Sequence, residues 1–164
     1  MSHTTQPPVK VLFVCLGNIC RSPTAHAVFE HCVAAQGLSE RIQVDSCGTG
    51  DWHIGRAPDR RAIAAAATRG YQLQHLRARQ VAPGDFDQFD YILAMDNSNL
   101  KDLQAMRPAG FTGHLGLFLA FGGDAEREVP DPYYGGDEGF DHVLDLIEAA
   151  SGGLLAEIRG AHQR

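Results

Sequence analysis

No stretch of this 164-residue chain comes near the ~20 consecutive apolar residues that a membrane-spanning helix needs. Basic residues do not outnumber acidic ones: 14 Lys and Arg stand against 20 Asp and Glu, a formal charge of −6. That balance provides no broad positive face, so nucleic acid is not an expected partner. Residues 1–8 are polar and lack the charged start and apolar core of a secretory signal. They read as a flexible tail. Cysteine is absent after Cys47; Cys15, Cys20, Cys32 and Cys47 crowd the first third of the chain. Such crowding makes a poor disulfide framework for a secreted protein and fits a cytoplasmic one. No spacing of Cys and His matches a zinc pattern, so neither a metal nor another cofactor is expected.

What is present is an alternation of strand and helix patterns. Residues 9–14 are almost continuously apolar, as suits a central parallel strand covered on both faces. Residues 22–36 carry Ala25, Val28, Phe29, Cys32 and Val33 at helical spacing. On that pattern Cys32 lies on the apolar stripe, while His26 and His31 fall elsewhere. Further strands are expected at 42–46, 91–95 and 114–118. Helices are expected at 58–69, after Asp96 through Leu103, and at 140–158, where Gly152 and Gly153 weaken or kink the last one. Asp96 reads as a helix N-cap. The arginines within residues 75–80 read as a solvated face. One domain with a parallel sheet accounts for the whole pattern.

The first strand runs into Cys15-Leu16-Gly17-Asn18-Ile19-Cys20-Arg21-Ser22-Pro23. Five residues between Cys15 and Arg21 suffice to wrap a loop around one tetrahedral anion, with N–H groups turned inward. Gly17 and Asn18 tolerate the positive φ that a closed loop demands. Pro23 suits the first turn of a helix, and a helix N-terminus carries free donors and partial positive charge. Arg21 adds a planar fork for two anion oxygens. A loop that attracts a phosphate also favours a thiolate. Cys15 is therefore a candidate nucleophile, and Ser22 a candidate hydrogen-bond donor to its sulfur.

Late in the chain, Pro130 and Pro132 flank Asp131 and restrict it to extended backbone. Ester cleavage by a thiolate needs a proton for the leaving oxygen. A carboxyl beside a bound dianion holds its proton longer. From chain order alone, Asp131 remains open between that role and an ordinary acidic turn. Trp52, in a glycine-rich loop after the second strand, is either a core anchor or an aromatic wall.

The run from Val14 to Ala25 resembles the active-site signature of the low-molecular-weight protein tyrosine phosphatases. Gly48-Thr49-x-x-Trp52-His53, Met95-Asp96 and Asp131-Pro132-Tyr133 extend the likeness over nearly the whole chain. The resemblance implies a flavodoxin-like, doubly wound α/β domain over residues 9–164, with a four-stranded parallel sheet and helices on both faces. It implies hydrolysis of phosphotyrosine and aryl phosphates through a cysteinyl-phosphate, with Cys15 as nucleophile, Arg21 as anion clamp and Asp131 as acid. Leu16, Gly17, Asn18, Ile19, Cys20 and Ser22 would complete the phosphate loop. Asn18 and Ser46 would hold its shape, and Trp52, Tyr133 and Tyr134 would wall the pocket. Relatives acting on phosphoarginine carry Thr where this chain has Ile19, which favours a flat ring. A relative that reduces arsenate needs cysteines further along the chain. In the family, the neighbour at Cys20 can form a disulfide with the nucleophile under oxidation. The implied partner is a tyrosine-phosphorylated protein, bacterial relatives often acting on tyrosine kinases of polysaccharide export. The implied state is a monomer or weak dimer.

Overall fold

The computed structural model describes residues 7–123, 128–132 and 137–162. Strand β1 (Val9–Cys15) leads into helix α1 (Arg21–Ala35), then β2 (Ile42–Gly48) and α2 (Arg60–Ala67). A four-residue helix, α3 (Asp85–Gln88), precedes β3 (Tyr91–Ala94), α4 (Asn97–Met106) and β4 (His114–Leu117). A 3-10 turn (Phe118–Gly122) and the long helix α5 (Asp137–His162) complete the order. All strand pairings are parallel, in the order β2-β1-β3-β4.

Alternation along β1 builds two cores. Val9, Val11, Phe13 and Cys15 face α1, α2 and α5, while Leu12 and Val14 face Phe86 of α3 and Leu103 of α4. Helices therefore cover both faces, as expected. Phe13 anchors the first core edge-on, 5.7 Å from the Phe29 ring centre and 4.9 Å from that of Phe118. Burying such a side chain contributes roughly 1.5–3 kcal/mol.

Three local expectations change. Helix α1 packs against both β2 and α5, so its first half is buried all round. His26 is buried with the rest of that half, with Nδ1 2.9 Å from Ser46 Oγ, while Cys32 is only half-buried. Helix α5 continues through Gly152 and Gly153. A Cβ on Gly153 would sit 1.8 Å from the Phe121 carbonyl oxygen; glycine is there so that the helix can approach the 3-10 turn. Arg79 is not a solvated charge. Its guanidinium bonds Asp85 at 3.1 Å and Asp45 at 3.0–3.1 Å.

The order β2-β1-β3 reverses direction at β1, so a crevice opens where β1 and β3 end. Cys15 is the last residue of β1, and Asp96 follows β3 by two positions. The topology alone thus brings the first loop and the β3–α4 junction together.

Candidate active site

The loop between β1 and α1 is held closed from several sides. Asn18 adopts φ +58°, a left-handed conformation that costs most side chains ~1–2 kcal/mol and that asparagine tolerates better. Its amide supplies part of the compensation: Nδ2 donates to Ser22 Oγ at 2.8 Å, and Oδ1 accepts from the Arg79 backbone N–H at 3.0 Å. Thr49 and Gly50 donate backbone N–H groups to the carbonyls of Cys15 and Leu16, each at 2.9 Å. Asp59 donates its own to Ile19 at 2.8 Å. A Cβ on Gly48 would lie 2.6 Å from the Leu16 carbonyl oxygen, so only glycine lets β2 approach the loop this closely.

Inside this frame, the Asn18 backbone N–H donates to Cys15 Sγ at 3.2 Å, and Ser22 Oγ lies 2.9 Å from the same sulfur. Hydrogen counting fixes what Ser22 can do. Its oxygen already accepts from Asn18, and its single proton can go either to the Cys47 carbonyl at 3.2 Å or to the sulfur. A thiol would donate to Ser22; a thiolate would accept from it. No side chain caps α1, and no acidic residue stands in its first turn. Its leading N–H groups are thus left for another acceptor.

Arg21 is 4 % exposed, yet well partnered. Its Nη1 donates to Asp96 Oδ2 at 2.6 Å and to the Val129 carbonyl at 3.1 Å. Burial opposes its charge, but Cys15, Asp96 and Asp131 outweigh burial and hold its pKa above the ordinary arginine value. Asp96 is the N-cap expected of it, its Oδ1 accepting from the Asn99 N–H at 2.8 Å. The pairing with Arg21 is a second function for the same carboxylate. Cys20 behaves oppositely to a reactive thiol: burial, then the charges of Asp59, Cys15 and Asp131, push it up to about 12.

These groups converge on a cavity of about 190 Å³ lined by Cys15, Leu16, Gly17, Ile19, Cys20, Arg21, Trp52, His53 and Asp131. The structure therefore joins Asp131 to a loop more than a hundred residues earlier. Trp52 lines the mouth of this cavity and is 66 % exposed, so it is not a core anchor. Ser46 meets His26, and reaches the loop through Cys47, whose carbonyl faces Ser22, and through Asp45, which accepts the Ser46 N–H at 2.8 Å and pairs with the Arg79 that bonds Asn18. Tyr133 and Tyr134 lie outside the described residues. A larger hollow of about 770 Å³ between α2 and α5 is lined by no cysteine. Among the described residues, no group of His, Cys, Asp and Glu could hold a metal ion. No described helix is long and apolar enough to cross a membrane.

Sequence reasoning missed His53, Arg79 and Val129. His53 stands in the glycine-rich loop already singled out, and a Cβ on Gly17 would lie 2.9 Å from its ring. Arg79 and Val129 act through backbone groups, which leave no mark on residue type.

Fold and loop together define a doubly wound α/β domain with a cysteine seated at the sheet's switch point, beneath a closed loop and a buried arginine. Residues 10–164 match the low molecular weight phosphotyrosine protein phosphatase family. The chain belongs to that family and is a hydrolase of its kind. It is 46% identical over 143 residues to the low molecular weight phosphotyrosine protein phosphatase of Schizosaccharomyces pombe, covering 85% of this chain and 91% of that one. The crystal structure of YfkJ from Bacillus subtilis superposes with a TM-score of 0.89 at 41% identity, covering 98% of this chain and all of the other. That of a Drosophila arginine phosphatase gives 0.86 at 34% identity, covering 92% and 98%.

Proposed function

We propose that this protein hydrolyses phosphotyrosine, and aryl phosphates generally, through a cysteinyl-phosphate intermediate. The observation that carries the reading is one cavity holding Cys15, Arg21 and Asp131, with Asn18 N–H and Ser22 Oγ both on the sulfur. The phosphate sits in the loop, held by Arg21 and the N–H groups of residues 16–22. Cys15 attacks phosphorus, the P–O bond to the phenol breaks, and Asp131 gives its proton to the departing oxygen. The Ser22 hydroxyl turns to the sulfur and stabilises it as attacking and, later, leaving group. Asp131, now a carboxylate, takes a proton from water, which attacks phosphorus and releases inorganic phosphate with the thiolate restored. This divides one difficult displacement into two. Charge on the equatorial oxygens is met by fixed donors, the effect that usually dominates.

Substrate class follows from the walls. Ile19 and Trp52 offer apolar surface on the cavity for an aromatic ring, and Ile19 carries no hydroxyl to meet a guanidinium. A tyrosine-phosphorylated protein is the natural partner. A cytoplasmic location fits four cysteines that are all unpaired.

Turnover of p-nitrophenyl phosphate by the wild type and by Cys15→Ser tests the mechanism. The wild type should turn over and the variant should not; unchanged activity in Cys15→Ser removes the nucleophile. Phosphotyrosine should be hydrolysed in preference to phosphoarginine, and the reverse order overturns the substrate assignment.

A further inference from the structure

Asp131 is exposed and sits on a segment with no regular secondary structure, yet a proton donor must be placed within hydrogen-bond reach of the leaving oxygen. Part of what places it lies just upstream. Val129 is fully buried; its N–H donates to the Met95 carbonyl at 2.7 Å and its carbonyl accepts from Arg21 at 3.1 Å. Immediately before it, Glu128 Oε2 accepts the Asn97 backbone N–H at 2.7 Å. Asn97 is the first residue of α4. Its N–H has no partner within the helix, and a carboxylate there gains from the helix dipole as well as the bond. Met95, Asp96 and Asn97 are consecutive. One holds Val129, the next holds Arg21, and the third holds Glu128. The stem of the Asp131 segment and the anion-clamping arginine are thus fastened to one junction.

Little slack remains between that fastening and the carboxyl. Asp131 is two residues past Val129, a span of at most about 7 Å. Pro130 fixes its own φ, and Pro132 keeps Asp131 extended. Glu128 and Val129 fasten adjacent residues of one stem, so losing the Glu128 bond removes one of the three bonds that hold the stem from which Asp131 projects.

We propose that Glu128 is a positioning residue for the acid step, holding Asp131 at the leaving oxygen by latching its segment onto the start of α4. This rests on the reading of Asp131 as the acid. Loss of the latch leaves Arg21, Cys15 and the loop in place, so binding and attack persist while proton delivery weakens. The deficit must then depend on how much the leaving group needs a proton.

The experiment measures kcat/KM for phenyl phosphate, a poor leaving group, and p-nitrophenyl phosphate, a good one. It compares wild type, Glu128→Ala, Glu128→Gln, Asp131→Ala and the Glu128→Ala/Asp131→Ala pair. The ratio kcat/KM is the right quantity, because hydrolysis of the common cysteinyl-phosphate, which can limit kcat, is the same whatever phenol has left. Glu128→Ala should lower phenyl phosphate turnover about tenfold and p-nitrophenyl phosphate turnover less than about twofold, since small misplacements of an acid are felt strongly. Glu128→Gln keeps an acceptor oxygen and should recover most of the loss. In the Asp131→Ala background, removing Glu128 should change neither ester by more than about twofold, because nothing is left to position. Equal loss on both esters, no loss, or the same loss without Asp131 overturns the proposal for Glu128. A uniform deficit in Asp131→Ala itself instead overturns the acid assignment on which it rests.

Discussion

Asp96→Asn isolates the contact that places the arginine. Asparagine caps helices about as well as aspartate, so the bond from the Asn99 N–H survives. The oxygen facing Arg21 is the one at risk. There the variant offers either a neutral oxygen or an amide N–H opposed to the guanidinium's own. Among the described residues, Arg21 then keeps only the Val129 carbonyl as an acceptor. Breaking a fully buried ion pair costs about 3–5 kcal/mol. Here the arginine side chain is 5 % exposed but the aspartate 21 %, and solvent reaching the carboxylate weakens the pair in the intact protein. The expected loss of stability is therefore about 2 kcal/mol, in the range of a hydrogen bond to a charged group. Asp96→Ala also removes the cap and should lose about 1 kcal/mol more.

Equilibrium urea unfolding of the two variants and the wild type reads these differences directly. Catalysis should suffer beyond stability, because a freed guanidinium no longer presents its fork to the phosphate. A misplacement near 1 Å is worth about a hundredfold in kcat/KM, and inorganic phosphate should inhibit the variants more weakly. Asp96→Asn within about 0.5 kcal/mol of wild type, the level of an ordinary surface substitution, would show that the pair does not hold Arg21. Full activity alongside that result would refute the whole account of the junction.

The fold was legible because its signals are local and repeated. The apolar run of β1, the helical spacing of α1 and the Asp96 cap each depend on residues close in sequence. Cys15, Arg21 and Ser22 were legible for the same reason, since one short loop carries all three. The three local misreadings share a cause: each residue's environment is set by a distant partner. His26 looked off the apolar stripe because the stripe assumes one buried face, whereas α1 is enclosed by β2 and α5. Arg79 looked solvated because Asp45 and Asp85 lie on other segments. Gly153 looked like a weak point because nothing nearby in sequence announces Phe121. Val129 could not have been found at all, since any residue but proline could make its two backbone bonds. What brings Asp131 to a loop more than a hundred residues earlier is the junction at residues 95–97, which the chain reaches only by folding.

Ser22→Ala should still fold, losing about 1–3 kcal/mol because Asn18 Nδ2 loses its acceptor, and should lower kcat by about ten- to a hundredfold, the worth of one hydrogen bond to a charged group of about 1.5–3 kcal/mol. A wild-type rate would mean that the 2.9 Å contact with the sulfur plays no part. Asn18→Gly should relieve the left-handed backbone and cost less stability than Asn18→Ala, while both lose activity through the bonds to Ser22 and Arg79. Equal stability of the two would show that φ +58° carries no strain. The remaining prediction concerns pH. Burial holds Cys20 up to about 12 in the folded protein, against an ordinary value of 9.0. Below pH 9 both folded and unfolded chains keep the proton, and the thiol has no effect on the balance. Between pH 9 and 12 the unfolded chain gives up the proton first, so ionisation favours unfolding and stability falls as pH rises. Urea midpoints taken through that window should drop more steeply for wild type than for Cys20→Ala. Parallel curves would mean that Cys20 ionises as readily inside the loop as outside it.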